Sequence, residues 1–304
     1  MAGGKENINL RTVVLGAGGQ LGTELVAELR RRGQTVVGLS RQELDITDEQ
    51  AIERAFQDHS PAWVINAAAY NHVDLAEQEP EIAMRINGLA VRSLATACRQ
   101  HRAVLMHFST DHVFDGKKED PYVEEDLPSP PSAYGVSKLA GELYAQACLD
   151  RSYVVRVAGV FGSAGRHTSR GNFPELVLRK AAEGSPLRVV EDFFATPTYA
   201  PVLASRSIDL LERSAFGLYH IGGGTLISWY QYALKILGAA GLEADIQATN
   251  HREFSTPARR PMRSGLSNAK IERLGLTRMP PLEKALADYM ERRKQVKAPR
   301  AHHS

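Results

Sequence analysis

The sequence is poor in cysteine. Cys98 and Cys148 are the only two in 304 residues, and their separation matches no metal-binding spacing. A disulfide scaffold and a zinc module are thereby excluded, no metal site is expected, and two reduced core thiols fit a cytoplasmic protein. Long apolar runs are missing as well. None approaches the roughly 20 residues of a membrane-spanning helix, and the opening MAGGKENINLR lacks the apolar segment of a secretory signal, so no membrane partner is expected. Neither sign of charge dominates: 37 Lys and Arg against 35 Asp and Glu leave a net charge of +2, which offers no bulk field to gather nucleic acid. Internal repeats are absent. What is present is ordinary globular material, 43% hydrophobic and 24% charged, in a chain long enough for one large domain or two modest ones.

The first half alternates regularly. Short apolar stretches (RTVVLG, TVVGLS, AWVINAAA, AVLMHFST, SYVVRVAG) are separated by segments with apolar residues at three- and four-residue steps: QLGTELVAELRRRG, DEQAIERAFQDHS, EIAMRINGLAVRSLATACRQH and YGVSKLAGELYAQACLD. Strands alternating with amphipathic helices predict an α/β doubly wound parallel sheet, the Rossmann fold, covered on both faces. The second half is less regular and predicts a smaller C-terminal substrate-binding domain. The expected division gives 10–160 to the dinucleotide-binding domain with 188–221 returning to it, 161–187 and 222–294 to the smaller domain, and 295–304 to a disordered tail.

VVLGAGGQLGTEL places Gly16, Gly19 and Gly22 at three-residue steps between the first strand and the first helix. Glycines there permit a tight turn and let the backbone approach a pyrophosphate whose charge faces the helix N-terminus. The second strand ends Leu39-Ser40-Arg41, with no acid in place to accept a ribose 2′-hydroxyl. Arg41 can pair with a 2′-phosphate and Ser40 can donate to it, so NADPH is the expected cofactor, with NADH possible.

Tyr134 and Lys138 stand four apart in the helix that follows the rigid loop PSPPS, and therefore share one face. A tyrosine hydroxyl titrates near about pH 10 in isolation, and a cation beside it favours the phenolate. Lys138 can supply that cation and also hold ribose hydroxyls of a nicotinamide cofactor. In HFSTDHVFDG, Thr110 ends the fourth strand, in the crevice where parallel sheets bind ligands, and can hydrogen-bond a carbonyl oxygen beside Tyr134.

Taken together, GAGGQLG, RQELDITD, NAAAYNHVDLAE, STDHVFDG, YGVSKLAGE, GNF, ATPT, GLYHIGGG and RRPMRSGLS resemble the extended short-chain dehydrogenase/reductases, and among them the dTDP-4-dehydrorhamnose reductases, over nearly the whole chain. The resemblance implies a catalytic set of Thr110, Tyr134 and Lys138. It implies a pyrophosphate turn at Gly19, Gln20 and Leu21, an adenine contact at Asp45 and Ile46, and a cofactor-lining segment at Ala68, Ala69 and Tyr70. Thr110, Asp111, Tyr134, Asn172 and Arg260 are implied at the sugar nucleotide, with Arg166, Arg170, Arg259 and Arg263 as further candidates for its diphosphate. Asn87, in an apolar helical stretch, is expected to be satisfied by backbone near the active site. The reaction implied is reduction of the C4 carbonyl of a nucleotide-activated 4-keto-6-deoxy sugar, taking dTDP-4-dehydro-L-rhamnose to dTDP-L-rhamnose, in a possible homodimer.

Two stretches depart from the family pattern. Ala158-Gly159 stands where the family commonly has Ser-Trp, and Asp192-Phe193-Phe194-Ala195 where it has Asp-Gln-x-Gly. Phe193 or Phe194 is a candidate for the lost aromatic surface. Other readings are a sugar-nucleotide epimerase or dehydratase with tightly held NAD, and a non-catalytic NADP-binding regulatory subunit like the β subunit of methionine adenosyltransferase. A dehydratase needs an added acid and base beside Thr110, and only Asp111 is there. The intact Thr–Tyr–Lys set argues against the regulatory subunit.

Overall fold

The computed structural model describes residues 11–167, 171–253 and 255–297, with backbone alone for 166, 167, 296 and 297. Arg170 and the end of the expected tail, 298–304, lie outside the described residues, as does the side chain of Arg166.

The alternation read from the first half folds as β1 (Thr12–Leu15), α1 (Gln20–Arg31), β2 (Val36–Leu39), α2 (Glu49–His59) and β3 (Trp63–Asn66). It continues through α3 (Pro80–Met84), α4 (Ala90–Gln100), β4 (Val104–Thr110), α5 (Ala133–Cys148) and β5 (Ser152–Val157). Local chemistry sets the boundaries. Asp48 caps α2 by accepting from the amides of Gln50 and Ala51, and Ser60 closes that helix in the left-handed region just before Pro61. Ser132 caps α5 by accepting from Gly135 N. The stretch expected as one long helix, 81–101, is divided: a π turn, Arg85–Leu89, sits between α3 and α4. Such an insertion costs little to the apolar stripe and re-aims one residue, here Asn87.

The second half supplies β6 (Val160–Phe161), α6 (Phe173–Ala182), β7 (Leu187–Val190), β8 (Phe194–Ala195), β9 (Thr198–Tyr199) and α7 (Ala200–Leu211). After these come β10 (Gly217–His220), β11 (Ile227–Ser228), α8 (Trp229–Ala240), β12 (Ile246–Thr249), α9 (Ala269–Arg273) and α10 (Leu282–Lys297). The last helix runs into the stretch expected to be disordered.

Six strands form the main sheet in the order β10-β5-β4-β3-β1-β2, every neighbouring pair parallel. All seven residues of β4 are buried, as a central strand covered on both faces requires. On one face Leu25 and Leu29 of α1 pack with Leu203 and Ile208 of α7; on the other, Phe56 of α2 packs with Val91 and Leu94 of α4. The chain leaves β1 toward β2 and then crosses to β3 on the opposite side. This reversal opens a crevice at the carboxyl ends of β1 and β3.

A separate cluster, including Phe161, Val177, Tyr232, Ile236, Leu286 and Tyr289, holds the smaller lobe around α6, α8 and α10. Of the segment 188–221, α7 and β10 join the main sheet and its helical layer, whereas β7 pairs with β12 in the smaller lobe. No helix among the described residues is long and apolar enough to cross a membrane.

Candidate active site

The glycine turn is built by close approach. Gly16 has φ of +73°, and a Cβ there would lie 2.7 Å from Ala68 N; a Cβ on Gly22 would lie 2.2 Å from Gly16 O. Neither position has room for a side chain, so α1 starts hard against the end of β1. Gly19 is the N-cap, no side chain caps the helix, and its first turn carries no acid, which suits an anion at that end. Gln20 reaches away from the turn: its Nε2 donates to Val160 O at 2.8 Å, and its Oε1 accepts from Asn172 Nδ2 at 2.8 Å. Leu21 packs against the core.

At the end expected to take the adenosine, Ser40 follows β2 and Arg41 is exposed. The acid missing from the strand end arrives from three residues on, because Glu43 turns back and its Oε2 accepts from Ser40 N at 2.7 Å. Asp45 accepts from the amide and hydroxyl of Thr47 at 2.9 and 2.8 Å, and those bonds hold its carboxyl below the usual range. The side chain of Ile46 is in the core, leaving only its backbone for an adenine.

Beneath β3, Ala68 N donates to Asn66 Oδ1, Ala69 is exposed, and Tyr70 is held at its backbone by Asn87. Asn87 Oδ1 accepts from Tyr70 N at 2.9 Å; its Nδ2 donates to Tyr70 O at 2.8 Å and to Ser137 Oγ at 3.0 Å. The expected buried amide thus ties the segment after β3 to α5 through the π turn. Tyr70 also donates its hydroxyl to Glu79 at 2.9 Å, and burial with that carboxylate raises its pKa.

The Thr–Tyr–Lys residues converge on the end of β4. Thr110 donates to Asp111 Oδ1 at 3.1 Å and accepts from His112 N at 3.2 Å; Asp111 Oδ2 in turn accepts from Ser264 Oγ at 2.5 Å. Tyr134 is 9% exposed and meets the His112 ring edge-on, the centroids 5.6 Å apart. Gly135 makes that approach possible, since a Cβ there would lie 2.4 Å from His112 O. One turn on, Lys138 is 2% exposed and its Nζ donates to Phe108 O at 2.6 Å. Burial lowers its pKa to about 8, with the Glu142 carboxylate pulling the other way.

His107 lies behind the lysine, its Nε2 3.5 Å from Nζ and its Nδ1 3.1 Å from Asn66 Nδ2. Burial, then the Lys138 charge, push this imidazole well below its usual pKa and keep it neutral. Neither His107 nor Ser264 was visible as a site residue in the sequence; their signals were a histidine within an apolar strand and a serine in RRPMRSGLS.

Two residues expected at the substrate have hydrogen-bond partners within the protein. Arg260 forms a fork on Asp74, with NH1 and NH2 at 2.9 and 2.7 Å, and NH1 also donates to Thr256 Oγ1 at 2.6 Å. Asn172 caps α6 by accepting from Glu175 N and spends its amide hydrogens on Gln20 and Gly162 O. Arg259 is exposed, and Arg263 stacks on Phe194 at 4.5 Å. Phe193 turns its ring edge-on toward His251. The space beside Gly159 is bounded instead by Trp229, whose Cη2 would be 3.7 Å from a Cβ at that glycine.

The class these features define is the extended short-chain dehydrogenase/reductases. The sequence matches the RmlD substrate binding domain family over residues 10–295. It is 38% identical over 275 residues to a dTDP-4-dehydrorhamnose reductase of Streptomyces griseus, covering 88% of each chain. It is 35% identical over 283 residues to the spore coat polysaccharide biosynthesis protein SpsK of Bacillus subtilis (strain 168), covering 93% of this chain and 98% of that one. The crystal structure of dTDP-4-dehydrorhamnose reductase from Bacillus anthracis str. Ames in complex with NADP superposes with a TM-score of 0.89 at 30% identity, over 94% of this chain and all of that one. The chain belongs to the RmlD family, that of the dTDP-4-dehydrorhamnose reductases.

Proposed function

We propose that this protein reduces the C4 carbonyl of a nucleotide-activated 4-keto-6-deoxy sugar, with dTDP-4-dehydro-L-rhamnose as the substrate and NADPH, or alternatively NADH, as hydride source. The observation that carries the reading is a buried lysine one helical turn beyond a tyrosine, packed on either side of the threonine in sequence: Lys138 Nζ donates to Phe108 O on β4, and the Tyr134 ring meets His112 just past Thr110. The cradle fits a dinucleotide, because Gly16 and Gly22 leave no room for a Cβ and the N-terminus of α1 is uncapped by any side chain.

When bound, the dinucleotide supplies a hydride to the carbonyl carbon. The residues of this chain have the remaining tasks. The turn from Gly16 to Gly22 takes the pyrophosphate, and Ala68 to Tyr70 line the cofactor. Thr110 turns its hydroxyl from Asp111 to the carbonyl oxygen, which keeps its position because His112 N still holds the threonine oxygen. Tyr134 gives its proton to the oxygen as negative charge develops there, and the Lys138 ammonium stabilises the phenolate left behind. Donors fixed before the reaction reorganise little during it, which is the largest contribution in many such sites.

The test is Tyr134→Phe, assayed by NADPH consumption with the 4-keto sugar nucleotide. The kcat should fall by about 100-fold or more, the range for loss of a general acid, while NADPH binding is retained. Undiminished turnover would overturn the assignment.

A further inference from the structure

Building on the dinucleotide reading above, we propose that Glu43 sets which dinucleotide this protein accepts: its carboxylate receives a free ribose 2′-hydroxyl and must leave Ser40 before a 2′-phosphate can enter.

Position comes first. Ser40 lies against the glycine turn, since a Cβ built on Gly18 would lie 3.6 Å from Ser40 Cβ and Ala17 N donates to Leu39 O at 3.1 Å. A nucleotide seated on that turn therefore has its ribose beside Ser40, where an acid selects the 2′-hydroxyl in dinucleotide folds. The donors at this spot are already engaged. The Ser40 amide, 2.7 Å from Glu43 Oε2, and the Ser40 hydroxyl both bond the Glu43 carboxylate, and they hold it below the usual range and ionised. A phosphate needs the same two donors and has the same sign of charge. Arg41, exposed on the adjacent residue, is the cation it would meet once Glu43 had swung away.

A purely structural role for Glu43 makes a different prediction. Glu43 N and Leu44 N donate to Ser40 O at 3.1 and 2.9 Å, so Ser40 and Glu43 also form a reciprocal box that closes the turn. Glutamine closes that box equally well and carries no charge. Glu43→Gln thus separates selectivity from turn formation.

The experiment is calorimetric titration of the whole protein with 2′,5′-ADP and with 5′-AMP, probes that differ by the 2′-phosphate alone, alongside the ratio of kcat/KM for NADPH and NADH. In Glu43→Gln, 2′,5′-ADP should bind about tenfold tighter, the scale of removing one charge near a doubly charged phosphate at the protein surface. Affinity for 5′-AMP should hold or weaken, and the kinetic ratio should move toward NADPH by a similar factor. Arg41→Ala should weaken 2′,5′-ADP selectively. Unchanged affinities and ratio in Glu43→Gln would overturn the proposal and leave Glu43 a turn former. If wild-type protein bound neither probe, the dinucleotide reading itself would fall, and this proposal with it.

Discussion

At the scale of single residues, Lys138 shows how burial turns a common side chain into a tuned one. The low-dielectric interior disfavours its charged form, and Glu142 restores part of that loss. Below about pH 8 the ammonium is present for the part proposed above, holding ribose and phenolate; above it the charge is lost. The kcat/KM should therefore decline as pH rises through about 8, and Lys138→Arg, whose guanidinium stays protonated, should move that limb to higher pH. Initial rates measured across the range would decide, and an unmoved limb would assign it to another group. His107 bears on the same lysine. The Ala68 amide fixes Asn66 Oδ1 as an acceptor, so Asn66 presents its NH₂ to His107 Nδ1 and the ring proton is assigned to Nε2, which makes the 3.5 Å approach to Lys138 Nζ a meeting of two donors and not a hydrogen bond. Tyr134 and Lys138 were legible in the sequence because helical spacing relates residues four apart. The engagements of Arg260 and Glu43 were not. Arg260 meets a partner 186 positions away, and Glu43 reaches Ser40 only because the chain turns between them.

Among the elements, α5 carries the most consequence, and its start is fixed from outside. Ser132 caps it, Ala133 N donates to Glu77 Oε1 at 2.8 Å, and Gly135 rests against His112 O. Three neighbouring segments thus set where Tyr134 points. Adding one methyl group at Gly135 forces the helix start away from the loop behind Thr110. A displacement near 1 Å is enough to cost roughly 100-fold in rate. Gly135→Ala should accordingly lower kcat by about that factor while dinucleotide affinity stays within a few-fold, which steady-state kinetics and fluorescence titration would check. The Pro-rich approach and the helical period made α5 readable in advance. The π turn was not, since a stripe of Leu, Ala and Val tolerates one extra residue without visible loss of period. Its trace was Asn87, an amide in apolar company, whose partners became clear only with Tyr70 and Ser137 placed beside it.

For the whole molecule, the polar interior near β4 and β5 matters as much as the apolar faces. Arg156 on β5 bonds Glu142 on α5 at 2.7 and 2.9 Å, Ser109 on β4 donates to the same carboxylate, and His220 on β10 approaches the guanidinium at 3.4 Å. Both charges are buried, with 3% of each side chain exposed, so removing one leaves the other uncompensated. Glu142→Gln should lower stability by about 3–5 kcal/mol, read as a fall in the urea midpoint with unchanged slope. The parallel sheet itself was apparent from the alternation of the first five strands. The sixth was harder to place, because β10 reaches the sheet only after the chain has passed through the smaller lobe, and β7, which looks much the same in sequence, pairs with β12 there. The amide pair of Gln20 and Asn172 carries this entanglement further. A fragment ending before Val160 would retain every glycine of the nucleotide turn yet deprive Gln20 of both its partners. Exchanging N-terminal halves between related enzymes would therefore transplant a motif without its brace.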